Sequence, residues 1–188
     1  MNKILINFTT TQDGNLAYHV GDIKENVDKN RENLAVKLGY KNEDLVYMNQ
    51  VHGNNVQIVD KNSPKLIENC DGLITKEKEL PLMVMVADCI PILFFDEIQG
   101  VIAAVHAGRN STFLKIAQIT ANKMMKELGC NANNIKVILS SVLPSNGHGW
   151  RGGIENVPQK IIELNERIKS YAQEKGFYYI DYYTPMKV

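Results

Sequence analysis

The stretch from Val101 to Thr112 reads VIAAVHAGRNST and is the most informative indication of the fold in this sequence. Its first five residues, 101–105, form a continuous apolar run, which is typical of a central strand that is covered on both faces. The run ends at His106, an Ala-Gly turn follows, and Asn110 or Ser111 can cap a helix. The stretch therefore predicts a buried strand, a tight turn and a helix start, with a histidine where the strand ends.

Outside this stretch, strand-like runs outnumber helical ones. β-Branched and aromatic runs predict strands over residues 4–9, 45–48, 55–59, 82–86, 92–95, 101–105, 136–142 and 177–183. Apolar residues at helical spacing predict helices over residues 22–38, 111–128 and 158–175, each followed by a glycine that can end it. In the last helix, the predicted core stripe consists of Ile161, Leu164, Ile168 and Tyr171. Because strands often follow one another without a helix, we expect an α+β domain with mixed sheets.

Length and charge restrict the classes of protein that the chain can belong to. The 188 residues contain no repeat or low-complexity linker, so we expect one domain over residues 1–188. The formal net charge is zero, which argues against a nucleic-acid partner. The longest apolar stretch, residues 80–95, is interrupted by Pro81, Asp88 and Pro91, so we expect no membrane span.

The N-terminus and the cysteines predict a cytoplasmic protein. The first apolar run is too short for a signal peptide. Cys70, Cys89 and Cys130 are an odd number without metal-finger spacing, which fits reduced thiols better than a disulfide framework.

Polar groups stand beside predicted strands at three places. They are His52 after the strand at 45–48, Asp88 with Cys89 inside the apolar run at 82–95, and His106. A thiol and a carboxylate in an apolar setting are costly to bury unless they are paired or used. The sequence does not by itself show that these groups converge.

The helix start that follows His106 is a candidate anion site. Free backbone N–H groups and the helix dipole favour an anion there, and Arg109 adds a bidentate donor for phosphate or carboxylate. An exposed arginine on an ordinary loop is the alternative.

Three motifs, V51-H-G53, A87-D-C89 and H106-A-G108, resemble in order and separation the signature of the polyphenol-oxidase-like laccase-domain, or YfiH, family. Residues 15–22, 27–39 and 70–75 are similar to the family's flanking blocks, so the resemblance covers roughly residues 8–139. It implies an α/β/β/α sandwich. It also implies that His52, Cys89 and His106 bind one transition-metal ion, usually zinc, or act as a catalytic Cys/His group.

Copper suits the same ligand types. A laccase, however, needs several coppers and many more histidines than the four of this chain, so we do not expect polyphenol oxidation. The resemblance implies a purine nucleoside enzyme instead. Its reactions would be phosphorolysis of adenosine, inosine or methylthioadenosine, and deamination of adenosine. Purine nucleoside and phosphate would then be its partners, and the predicted substrate-binding residues are Arg109, Asn110, Ser111, Gln50 and Asp88.

The sequence departs from the family pattern at two places. The family continues His-Ala-Gly with Trp-Arg-Gly, where this chain has Arg109-Asn110-Ser111, so the arginine falls one position early. Residues 140–153 replace an expected block with Gly-Pro and Cys-Cys-Tyr. His148, Trp150 and Arg151 within that segment are candidate substitutes for it, and a mobile surface loop is the alternative. The chain also ends where relatives tend to continue, which suggests a divergent or shortened member.

Two other functions stay open at this point. One is a metal-free cysteine hydrolase, in which Cys89 is the nucleophile and His106 or His52 its base. The other is a non-catalytic binding protein that has kept the fold.

Overall fold

Two β-sheets and four α-helices make up the part of the chain that the computed structural model describes, residues 3–145 and 156–186. In chain order the elements are α1 (Lys24–Leu38), β1 (Val46–Met48), β2 (Val56–Ile58), β3 (Leu66–Ile67), β4 (Gly72–Thr75), β5 (Leu82–Met83), β6 (Ile90–Asp96), β7 (Val101–Ala107), α2 (Arg109–Phe113), α3 (Ile116–Leu128), β8 (Lys136–Ser140), α4 (Val157–Lys175) and β9 (Tyr178–Ile180). Short 3-10 turns lie at Thr11–Asp13, Asn42–Asp44 and Thr184–Met186. None of the helices in these two ranges is long and apolar enough to cross a membrane.

Both sheets support the prediction of an α+β fold, and the larger one is mixed. The large sheet has the strand order β2-β4-β7-β6-β8-β9, and its β2–β4 and β8–β9 pairs are parallel while the others are antiparallel. The small sheet, β3-β1-β5, is parallel. The strand predicted to be central, β7, does lie at the centre of the large sheet, where it pairs with β6 over seven positions, from Ile90 opposite Ala107 to Asp96 opposite Val101.

Successive side chains along a strand point to opposite faces of its sheet, so they show what packs on each face of the large sheet. Leu73 of β4 packs in a core cluster with Val46 and Met48 of the small sheet, whereas the next residue, Ile74, packs with Ile116 and Met124 of α3. The large sheet is therefore covered by α3 on one face and by the small sheet on the other.

The outer face of the small sheet is covered by α1. Tyr47 lies between Val46 and Met48 in β1 and points away from the inner cluster, and the Arg31 guanidinium of α1 stacks 4.3 Å from the centre of its ring. The layer order is thus α/β/β/α, as the family resemblance implies.

Several sequence predictions about single elements were wrong. Residues 4–9 do not form a strand, the strand predicted at 82–86 is reduced to Leu82–Met83, and β3 and β4 were not predicted. β4 is short, opens with glycine and is buried throughout, so it has no alternating pattern. Gly72 is needed for close packing, because a Cβ there would lie 3.0 Å from a methyl of Val56.

The helix predicted over residues 111–128 is two helices. α2 begins after Gly108, not after Asn110 or Ser111, and Lys115 adopts a left-handed conformation (φ 61°) before α3 starts. Leu114 caps the end of the short helix, and its carbonyl accepts a hydrogen bond from the side chain of Asn54. The local apolar spacing could not reveal the break, because a residue 60 positions away stabilises it.

The core stripe predicted for α4 was shifted. Leu164 and Tyr171 are 43% and 49% exposed, whereas Asn165 and Ala172 are buried. The buried Asn165 amide accepts a hydrogen bond from the Val142 N–H and donates one to the Val142 carbonyl. A polar residue therefore occupies the core face of this helix, and hydrophobic spacing alone would place it outside.

Candidate functional site

Three predicted site residues, His52, Cys89 and His106, converge in the folded chain. Their nitrogen and sulfur ligand atoms all lie within 4.8 Å of one another. The two imidazole rings meet edge to face, with centroids 4.7 Å apart and an interplanar angle of 77°. His52 lies in the loop after β1, Cys89 immediately precedes β6, and His106 is the penultimate residue of β7. Because β6 and β7 are hydrogen-bonded neighbours, the sheet register brings the latter two side chains together.

Gly108 lies directly against this cluster. A Cβ at this position would be 2.9 Å from Cδ2 of His52 and 3.0 Å from Sγ of Cys89. Real Cβ atoms essentially never show the first of these distances, so a side chain here would force His52 to shift. The His-Ala-Gly motif therefore has a steric reason for its glycine, which lets the backbone form one wall of the site.

A buried carboxylate, that of Asp71, lies behind the two histidines. Its Oδ1 lies within hydrogen-bond distance of Nδ1 of His106, at 2.8 Å, and accepts a hydrogen bond from the backbone N–H of His52 at 2.9 Å. Its Oδ2 accepts from the N–H groups of Gly53 at 2.8 Å and Val51 at 3.2 Å. The side chain of Asp71 is fully buried.

Our sequence-based reasoning missed Asp71. Residues 70–75 were identified only as a block that is similar to the family, with no role for Asp71. Asp71 is a polar residue directly before a short apolar run, and a polar residue beside an apolar run is also what singled out Asp88 and His106.

Burial is the main cause of the pKa shifts of Cys89 and His106 in the protein without bound metal. The pKa of the Cys89 thiol is raised to about 12, first by burial and then by the negative charge of Asp88. The pKa of His106 is lowered by burial, an effect that Asp71 partly opposes. At neutral pH the chain by itself therefore presents a protonated thiol and a neutral imidazole. His52 is exposed, so the cluster is open to solvent on that side.

The residues of the predicted anion site have three different environments. Arg109 and Asn110 are exposed, but the Asn110 amide donates a hydrogen bond to the His52 carbonyl at 2.6 Å. Ser111 is fully buried, and its hydroxyl has no hydrogen-bond partner among the described residues. Of the three, only Arg109 presents a side chain to solvent without a visible structural task.

The other predicted substrate-binding residues make local contacts. The Gln50 amide donates to the Met85 carbonyl at 2.7 Å and accepts from the Met85 N–H at 2.9 Å, which ties the His52 loop to the segment before Cys89. Oδ1 of Asp88 accepts a hydrogen bond from the Cys89 thiol at 3.4 Å. Their contacts with substrate stay predictions. The segment that contains His148, Trp150 and Arg151 lies outside the described residues.

The remaining cysteines are not members of the cluster. Cys70 and Cys130 are buried, and all three cysteines are free thiols. Cys70 donates a hydrogen bond to the Gly72 carbonyl at 3.1 Å. Among the described residues, Cys89 is the cysteine that forms a ligand group with two histidines, so the thiol singled out by its motif is also the one at the candidate site.

Comparison with known proteins defines the class of protein. Residues 8–148 match the family model described as multi-copper polyphenol oxidoreductase laccase. The chain belongs to this family.

Several relatives in the same comparison are named purine nucleoside phosphorylases. The chain is 46% identical over 156 residues to a protein of that name from Campylobacter jejuni, an alignment that covers 77% of this chain and 68% of the relative. It is 39% identical over 125 residues to one from Mycobacterium tuberculosis, covering 66% of this chain and 50% of the relative. The chain thus spans about half the length of its mycobacterial relatives.

Solved structures share the fold. The hypothetical protein YfiH from Bacillus licheniformis superposes with a TM-score of 0.67 at 26% identity, covering 69% of this chain and 52% of that one. YlmD from Geobacillus stearothermophilus gives a TM-score of 0.69 at 23% identity, over 88% and 73% of the two chains.

Proposed function

We propose that this chain is a metal-dependent purine nucleoside enzyme, acting by phosphorolysis of adenosine, inosine or methylthioadenosine and by deamination of adenosine. The observation that carries the proposal is the convergence of His52, Cys89 and His106 at a solvent-open site, in a chain whose relatives are named purine nucleoside phosphorylases. Purine nucleoside and phosphate are its proposed substrates.

The donor set suits a transition-metal ion. Two imidazoles and one thiolate are ligands that zinc prefers, and a set of three protein ligands is typical of catalytic zinc because it leaves a position for water or substrate. Copper binds the same donors. Zinc bound here would supply a water activated for attack at neutral pH. Cys89 and the two histidines would hold the ion, and the neutral state of His106 suits a ligand.

The electrostatics of Cys89 favour this proposal over a metal-free cysteine hydrolase. A nucleophilic cysteine needs its thiolate, and active sites obtain it by lowering the thiol pKa. Here burial and Asp88 act in the opposite direction and raise the pKa of Cys89 to about 12. A bound cation is the natural source of a thiolate in such a place, because metal ligation requires the deprotonated form.

Two measurements test the proposal. Metal analysis of freshly purified protein separates a metal-dependent enzyme from a cysteine hydrolase, and we expect zinc or copper near one ion per chain. Turnover of adenosine and of inosine, with and without phosphate, separates an enzyme from a binding protein. Metal-free protein that is fully active, or metal-loaded protein that turns over no nucleoside, would refute it.

The exposed Arg109 is the proposed phosphate ligand. It directly follows Gly108, whose backbone contacts His52 and Cys89, so its side chain extends from the edge of the cluster. A guanidinium binds phosphate through paired charge-assisted hydrogen bonds. Water-dependent deamination has no phosphate to bind, so the two reactions should depend on Arg109 to different degrees.

We expect Arg109→Ala to raise the KM for phosphate and to lower kcat/KM for phosphorolysis about 10- to 100-fold, or roughly 1.4 to 2.7 kcal/mol. Deamination should change much less. The measurement is the ratio of the two activities in one preparation, with Lys126→Ala, an exposed cation in the last turn of α3, as the control. Unchanged phosphorolysis in Arg109→Ala would mean that Arg109 is only a solvated residue and would transfer the anion site to Arg151.

A further inference from the structure

We propose that Asp71 is the positioning residue of the site, and that its one carboxylate sets the backbone of His52 and the ring tautomer of His106 before any ligand binds. The inference rests on the proposed function in one respect only, that these histidines are the working residues. Asp71 touches neither a reacting atom nor the open side of the cluster. Its effect would pass entirely through the two histidines.

Asp71 binds the backbone of the loop that carries His52. Three successive backbone N–H groups, those of Val51, His52 and Gly53, point at the Asp71 carboxylate. Such a concave arrangement of N–H groups is a natural binding site for an anionic group. Here the anion is part of the protein and is fully buried, so the contacts are little weakened by water.

The conformation of His52 explains why the loop needs this anchor. Its φ is 58°, in the left-handed region that residues with a Cβ seldom adopt. Such a conformation persists when surrounding contacts over-determine it, and it is common at functional sites. Asp71 holds the N–H of His52, and the Asn110 amide holds its carbonyl. The peptide groups on both sides of its Cα are thereby fixed, and the ring is directed toward Cys89 and His106.

His106 also contacts Asp71. Its Nδ1 lies 2.8 Å from Oδ1 of Asp71, and its backbone N–H donates to the Asp71 carbonyl at 2.8 Å. An ionised carboxylate only accepts hydrogen bonds, so a neutral His106 ring must carry its proton on Nδ1. That leaves Nε2 with a free lone pair. A carboxylate behind a ligating histidine commonly fixes the tautomer in this way, and its removal typically weakens metal binding 10- to 100-fold.

Asparagine at position 71 separates positioning from simple packing. It has nearly the shape of aspartate, but its NH₂ group cannot accept a hydrogen bond. Four N–H groups would then compete for one oxygen, so either the His52 loop or the His106 ring must lose its acceptor. Asp96→Asn is the matched control. Asp96 is also fully buried and accepts two backbone N–H groups, from Ile98 and Gln99, but it lies at the opposite end of β6 from Cys89.

The experiment uses the whole chain and two readouts. Ring ¹⁵N–¹H correlation spectra of the metal-free protein, at a pH where the rings are neutral, report which nitrogen of His106 carries the proton. Competition with a chromophoric chelator reports the affinity for Zn²⁺. We expect the Nδ1–H tautomer in the wild type, a shift toward Nε2–H in Asp71→Asn and a 10- to 100-fold loss of Zn²⁺ affinity there. Asp96→Asn should show neither change.

Three results would overturn the inference: a wild-type His106 protonated on Nε2, a folded Asp71→Asn with unchanged tautomer and affinity, or an equal loss of affinity in Asp96→Asn. If Asp71→Asn does not fold, the wild-type spectrum still decides the matter. If the wild type binds no Zn²⁺ and turns over no nucleoside, the proposed function fails, while the tautomer comparison continues to test the role of Asp71.

Discussion

We expect Cys89→Ala to lose metal retention and nucleoside turnover to the limit of detection. The variant removes the only sulfur of the cluster and leaves two imidazoles, which are too few to hold an ion firmly at a site that is open to solvent. The folded state should survive, because Cys89 is only half-buried. Metal content and kcat/KM are measured on one preparation, and the circular-dichroism spectrum and Tm confirm that the protein is folded.

The other two cysteines provide controls within the same chain. Cys70→Ala and Cys130→Ala shorten buried side chains, so each should lower the free energy of unfolding by about 1 kcal/mol. Metal content and kcat/KM should stay near the wild-type values, because neither thiol belongs to the cluster. Equal loss of activity in all three variants would show that Cys89 has no special role.

The central part of the fold was predictable because its signals are local. The strands predicted at residues 92–95 and 101–105 became β6 and β7. The glycines after three helices, Gly39, Gly129 and Gly176, adopt the expected left-handed conformation. What failed depends on distant contacts. α2 ends where Asn54 donates a hydrogen bond to the carbonyl of Leu114, the residue that caps the helix. α4 turns Asn165 inward because the backbone of Val142 satisfies its amide.

The candidate site shows the same division. The three motifs identified the residues that meet, because each stands at or beside a strand end, but the sequence could not show that the strand ends are neighbours. Asp71 was missed because its partners are 18 to 35 residues away, and no local pattern connects them. The roles predicted for Gln50 and Asn110 were inferred from their position beside the motifs. The structure adds that both amides already hold the backbone of neighbouring segments.

We expect Gly108→Ala, the addition of one methyl group, to be nearly as damaging as the loss of Cys89. The backbone of Gly108 has φ −74°, which any residue adopts, so the effect would be purely steric. The new Cβ would lie 2.9 Å from Cδ2 of His52 and 3.0 Å from Sγ of Cys89, so at least one of these side chains must move. Misplacement of a working group by about 1 Å can cost about 100-fold in rate.

The measurements for Gly108→Ala are Zn²⁺ affinity, kcat/KM for inosine phosphorolysis and Tm. We expect both functional parameters to fall about 100-fold, with an overpacking cost to stability of about 1 to 3 kcal/mol. Gly53→Ala is the matched control, because this glycine follows His52 but a Cβ there would meet Oδ2 of Asp71 only at an ordinary 3.4 Å. Its N–H is retained, so its hydrogen bond to Asp71 should survive and its activity should stay close to that of the wild type. If both alanine variants lose activity equally, the cause is a stiffer loop; if Gly108→Ala keeps its Zn²⁺ affinity, the site has room that the close contacts at Gly108 do not suggest.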